Sequence, residues 1–141
     1  VVHSANEATD WMSARGIEAW AISPLLNIRR EIRVIMLDGQ VLLAYEKQPV
    51  VIEGLRMFNL GKGASPKDIE LPNEVVLLAK KALHTIGLRL AAVDIVELPG
   101  GEFRVLEIND GFMMEHYARF SRDNLEKTKQ LYDKVLVALF G

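Results

Sequence analysis

Asp38-Gly39 lies between two apolar runs in the stretch EIRVIMLDGQVLLAYEK, and no other feature restricts the fold of this chain as strongly. Aspartate followed by glycine accepts the positive φ angles that a two-residue type I′ turn demands, so Glu31 to Leu37 and Gln40 to Lys47 are expected as antiparallel neighbours. A second pair of alternating segments, AAVDIVELPGGEFRVLEIN, is joined by Pro99, Gly100 and Gly101. Two hairpins in one short chain predict an antiparallel sheet, and their registers follow by counting outward from the turns. The first register sets Arg33 opposite Ala44, flanked by Ile35 and Leu42, with Glu31 and Glu46 beyond. In the second, with Gly100 and Gly101 as the loop, Glu102 faces Pro99, Arg104 faces Glu97, Leu106 faces Ile95 and Glu107 faces Asp94.

That second register places two acids directly opposite each other, a spacing at which like charges destabilise a sheet. Period-two alternation adds Asn109 to the same face, with Ala92 opposite it leaving room. Two carboxylates and an amide oxygen form a donor set suited to a hard divalent cation, magnesium in particular, whose octahedron waters and phosphates complete. The competing reading is a pair of acids at a solvated sheet edge. A three-residue loop in place of Gly100-Gly101 shifts the register and weakens the metal reading. In the metal-free protein the facing carboxylates are expected to repel, raising the pKa of at least one, so that Glu107→Gln stabilises the fold.

Arg33 on an otherwise apolar face needs a partner: either one of the neighbouring glutamates or an anion such as phosphate, which a guanidinium fork suits. Residues 48 to 71 read as loop, including the glycine-flanked segment NLGKGA, Asn59 to Ala64, whose spacing does not match a P-loop. A helix opens at Pro72 and stops at Gly87, with Val75, Val76, Ala79, Ala82, Leu83 and Ile86 on one stripe. A last helix over about Ser121 to Phe140 carries Leu125, Thr128, Tyr132, Val135 and Leu139, and Ser4 with Glu7 fits a capping box that opens a short N-terminal helix. Glu115 and His116 follow the polar corner closely enough to line a pocket, although each also fits an ordinary surface position. The fold class predicted is α+β: an antiparallel sheet covered on one face by the Pro72 helix and the C-terminal helix, with the polar corner on the open face.

Composition narrows the function classes. A length of 141 residues, half of them hydrophobic, suits a single domain over 1–141, and a net charge of -2 with no basic cluster offers nothing for nucleic acid or an anionic membrane. The absence of cysteine excludes disulfides and thiolate zinc sites. No apolar run is long enough to span a membrane and no signal peptide is recognisable, so a cytoplasmic protein is expected, with self-association compatible.

The phrases EIRVIMLDG, FNLGKGA, AAVDIVE and RVLEIN, taken in order, resemble the C-terminal half of an ATP-grasp domain, closest to its amino-acid ligase branch, from about Trp20 through Met114. The resemblance implies ATP and magnesium as cofactors, with Asp94, Glu107 and Asn109 holding the metal on the phosphates. It also implies that Arg33 stabilises the transferred phosphoryl group or acylphosphate, that Asn59 and Lys62 place it, and that the adenine contacts a hinge near Ile22, Ser23 and Pro24. The glycine-rich loop and phosphate-binding lysines of such enzymes precede this region and have no counterpart ahead of Trp20. The chain is therefore expected to be a portion of a ligase that joins small-molecule carboxylates to amines and to be inactive alone. The alternative is a noncatalytic binding or assembly module that keeps the half-fold.

Overall fold

The computed structural model describes residues 2–16, 19 and 23–141. A short helix, α1 (Ala5–Ser13), is capped by Ser4, whose hydroxyl accepts from the Glu7 N–H at 3.1 Å. The central strands follow: β1 (Arg30–Leu37), β2 (Gln40–Gln48), a small separate ribbon of β3 (Val50–Ile52) and β4 (Leu55–Met57), and β5 (Ser65–Asp68). Helix α2 (Asn73–Ile86) leads to β6 (Leu90–Glu97) and β7 (Phe103–Asn109), and the chain closes with α3 (Glu115–Ala118) and α4 (Arg122–Phe140). Five strands form one sheet in the order β5-β2-β1-β6-β7, with every neighbouring pair antiparallel. The expected antiparallel α+β architecture is therefore present. The stretch 48 to 71, expected as loop, instead contributes three short strands, with Pro66 tolerated because β5 lies at the sheet edge.

The helices cover both faces of the sheet, not one. Val75, Ala79 and Leu83 of α2 pack on Ile32, Val34, Met36, Ala91, Val93 and Ile95, while Leu131 and Val135 of α4 pack on Ile35, Leu37, Tyr45 and Ala92 with Met114 and Tyr117. The reason is visible in β1. Ile32, Val34 and Met36 alternate with Ile35 and Leu37, so the central strand is apolar on both sides and exposing either would leave a large patch uncovered. The inward stripe of α4 is also displaced from expectation: Thr128, Leu131 and Val135 are buried, whereas Leu125, Tyr132 and Leu139 are exposed.

Both hairpins depart from uniform register by one residue. In the first, Asp38 (φ 48°) and Gly39 (φ 75°) make the expected turn and Leu37 pairs with Gln40, but a bulge at Leu42 then sets Ile35 against Leu43 and Arg33 against Tyr45, not Ala44. In the second the loop has three residues. Gly101 (φ 83°) donates to the Leu98 carbonyl and Leu98 donates to Glu102, each at 2.9 Å, which pairs Glu97 with Phe103 and Val96 with Arg104. A bulge at Leu106 cancels that shift and restores Glu107 to Asp94 and Asn109 to Ala92. Apolar patterning explains it: Val105 and Ile108 both pack on the α2 side, and unbroken alternation would instead drive Glu107 into that core.

Candidate active site

The two bulges determine which side chains meet. On the α4 side of the sheet, β1 offers Glu31 and Arg33, β2 offers Tyr45 and Lys47, β6 offers Asp94, and β7 offers Glu107 and Asn109. Arg33 and Asp94 are direct cross-strand partners. The guanidinium donates through Nε to Asp94 Oδ1 at 2.8 Å and through Nη2 to Oδ2 at 2.6 Å. Lys47 Nζ lies 3.1 Å from the same Oδ1 and also bonds Glu31 Oε1, so two cations and two carboxylates form one network in which Glu31, Lys47 and Asp94 are buried and Arg33 is partly exposed. The partner expected for Arg33 was Glu31 or Glu46. Glu31 goes to Lys47, and Glu46 bonds Arg30 at 2.7 Å. The expected Arg104–Glu97 pair is likewise absent among the described contacts: Arg104 meets Glu102, and Glu97 meets Arg29 and Arg30.

Electrostatics at Asp94 run opposite to expectation. Burial is the largest single influence and pushes its pKa up, but the Arg33 hydrogen bonds and the Lys47 charge together outweigh burial and hold the carboxyl below its usual range. Repulsion from Glu107 does not govern Asp94, because Arg33 and Lys47 already neutralise it from the other side and Glu107 is exposed. Tyr45, packed against Arg33, is pushed up to about 12 chiefly by burial. Its ring stacks on Tyr117 with centroids 4.6 Å apart.

A small cleft of about 150 Å³ opens over this network, lined by Arg33, Tyr45, Lys47, Asn59, Leu60, Met113, His116 and Tyr117. Asn59 caps the 3-10 turn Leu60–Lys62, its Oδ1 accepting from the Gly61 N–H at 2.8 Å. The turn and α3 approach closely at Gly61: a Cβ there would stand 3.0 Å from His116 Nε2 and 3.1 Å from Asn59 Oδ1, so a larger residue would have to push these side chains aside by a few tenths of an ångström. Of the two residues expected after the polar corner, His116 lines the cleft and Glu115 is exposed, paired with Arg119 at 2.5 Å. Lys62 is exposed at the end of the turn and is not part of the cleft wall. Ser23 is exposed, and Ile22 lies outside the described residues. Sequence reasoning misses Lys47 and Tyr45, because the uniform register puts both on the opposite face, and it reads Glu31 as a possible partner of Arg33, not of Lys47.

The donors at the corner suit a hard cation in kind. A carboxylate offers about four acceptor sites; Arg33 and Lys47 take two on Asp94 Oδ1 and one on Oδ2, which leaves capacity on Oδ2, and the register sets Glu107 and Asn109 on the same face of the neighbouring strand. Among the described residues no group of three His, Cys, Asp or Glu is placed to hold a metal. A cation here depends on the Asn109 oxygen and on ligands from outside the chain.

Residues 24–133 match the model of the RimK-like ATP-grasp domain. The chain belongs to the RimK-like ATP-grasp family. Over 89 residues it is 34% identical to the tetrahydromethanopterin:alpha-L-glutamate ligase of Methanocaldococcus jannaschii, an alignment covering 62% of this chain and 29% of that enzyme. The macrocyclase MdnB from Microcystis aeruginosa MRC superposes with a TM-score of 0.57 at 21% identity, over 100% of this chain and 47% of the other. The ATP-grasp ligase PsnB, complexed with a phosphomimetic variant of its minimal precursor, Mg and ADP, gives 0.55 at 23% identity, over 79% and 34%. At such identity the two structures establish the ATP-grasp fold. The chain spans less than a third of the ligase and less than half of either structure.

Proposed function

We propose that the chain forms the magnesium- and phosphoryl-facing part of an ATP-dependent ligase that joins a carboxylate to an amine through an acylphosphate, and that it does not turn over by itself. Membership of the RimK-like ATP-grasp family supports the reaction class, and the pairing of Asp94 with both Arg33 and Glu107 across neighbouring strands is the observation that carries the site. The PsnB complex holds Mg and ADP, which favours the same cofactors here. Glu107 and Asn109, with the remaining capacity of Asp94, are the residues that would hold magnesium. Magnesium bound there supplies charge neutralisation on the ATP phosphates. Arg33 stabilises negative charge on the transferring group, Asn59 orients it from the 3-10 turn, and Lys62 attracts the phosphates from the exposed end of that turn. Ile22 and Ser23 are the proposed adenine contacts. Phosphoryl transfer suits this division of labour, since its catalysis is mainly positioning and electrostatic stabilisation. The similar proteins include a tetrahydromethanopterin:alpha-L-glutamate ligase and a macrocyclase, MdnC, bound with a precursor peptide, which supports a carboxylate and an amine belonging to a small molecule or a peptide.

Millimolar magnesium should raise the midpoint of thermal unfolding by roughly 2 to 5 °C, since any ligand restricted to the folded state stabilises it by mass action. Glu107→Gln, at an exposed position, should stay within about 0.5 kcal/mol of the parent without metal and lose the magnesium response. A magnesium response unchanged in Glu107→Gln rules out the corner as the metal site. The second reading, a noncatalytic module, draws on the engagement of both Asp94 oxygens by cations, and a complete lack of magnesium response favours it.

A further inference from the structure

Deepening the function proposed above, we infer that Asp94 is a counter-ion shared between the metal corner and the cleft, so that a divalent cation at the corner switches on anion binding by Arg33 and Lys47. Arg33 and Lys47 both line the cleft, yet their charges are cancelled by Asp94 and Glu31, and the four groups sum to zero. An anion entering the cleft meets little net attraction in that state. Asp94 also faces Glu107 across β6 and β7. A cation held by Glu107 and Asn109 competes with Arg33 and Lys47 for the Asp94 carboxylate. Whatever share of its negative charge the cation takes, the cleft is left with that much uncompensated positive charge. Arg33 and Lys47 keep donors for an incoming oxyanion, and the Asn59 amide and His116 border the same space. Linkage makes the effect reciprocal: the anion must tighten the cation by the same factor. The arrangement favours oxyanions, phosphate or carboxylate, and it ties their capture to prior metal loading.

The test uses the whole chain and inorganic phosphate, followed by the imidazole Cε1–H resonance of His116, one of three histidines. In the parent protein, magnesium should tighten phosphate by about tenfold. Asp94→Asn should bind phosphate about tenfold tighter than the parent without metal, with no further gain from magnesium. Glu31→Gln, which removes the other negative charge without touching the corner, should also tighten phosphate but retain the magnesium gain. Glu107→Gln should bind phosphate like the parent and show no gain. If neither Asp94→Asn nor Glu31→Gln binds phosphate more tightly than the parent, the shared counter-ion is overturned. It is equally overturned if the magnesium gain persists in Asp94→Asn. Should Asp94→Asn not fold, Glu31→Gln and Glu107→Gln decide the matter. If magnesium fails to stabilise the parent at all, the proposed metal site fails, while the metal-free phosphate affinities still show whether the two carboxylates mask the cleft.

Discussion

Asp94→Ala should destabilise the protein by about 3–5 kcal/mol, the loss typical when one partner of a buried ion pair is removed and the other charge is left unpaired. Arg33 and Lys47 both depend on this carboxylate, and Glu31 can compensate only Lys47. Equilibrium unfolding in urea measures the loss directly, and a cost below about 1 kcal/mol would show that the network is solvated. The effect also has a definite pH dependence. The pKa of Asp94 is depressed in the folded state, so its stabilisation is present above the unfolded value near 3.9 and disappears as pH falls through the folded pKa. The gap between parent and Asp94→Ala should therefore be full at neutral pH and narrow only below about pH 4. A gap that closes at pH 6 would contradict the assignment.

The second large effect lies at the alkaline end and belongs to Tyr45. Its hydroxyl is pushed up to about 12 by burial, against an ordinary value near 10. Between those values the unfolded chain releases the proton while the folded protein retains it, so stability is intact below about pH 10 and declines as pH rises toward the folded value. A shift of that size corresponds to about 2–3 kcal/mol. Tyr45→Phe removes this contribution and leaves every other ionisable group in place. The parent should lose stability relative to Tyr45→Phe between pH 10 and 12, and parallel curves would place the Tyr45 hydroxyl in solvent.

Local chemistry made much of the sheet readable. Asp38-Gly39 specified its turn because few dipeptides accept two positive φ angles, and Gly87 stopped α2 with φ 71° for the same reason. Counting outward from a two-residue loop pairs Asp94 with Glu107, and the structure keeps that pair because two departures cancel: the loop is one residue longer, and the Leu106 bulge adds the residue back. In the first hairpin nothing cancelled the Leu42 bulge. Lys47 and Tyr45 were assigned to the wrong face, and with them went the network around Asp94.

The sequence by itself determined β1, β2, β6 and β7, the Asp38-Gly39 turn, the helices α1, α2 and α4 and the family to which they belong, because those depend on periodicity, backbone torsion and ordered motifs, whereas the short strands β3 to β5 were read as loop. The tertiary structure alone decided that both sheet faces are covered, that Arg33 spends its fork on Asp94, and that Lys47 and His116 share the cleft. Each of these depends on a contact between residues distant in the chain. A bulge is placed where packing on the far side of the sheet demands it, so one residue of slip, invisible to local counting, reassigns every charge beyond it.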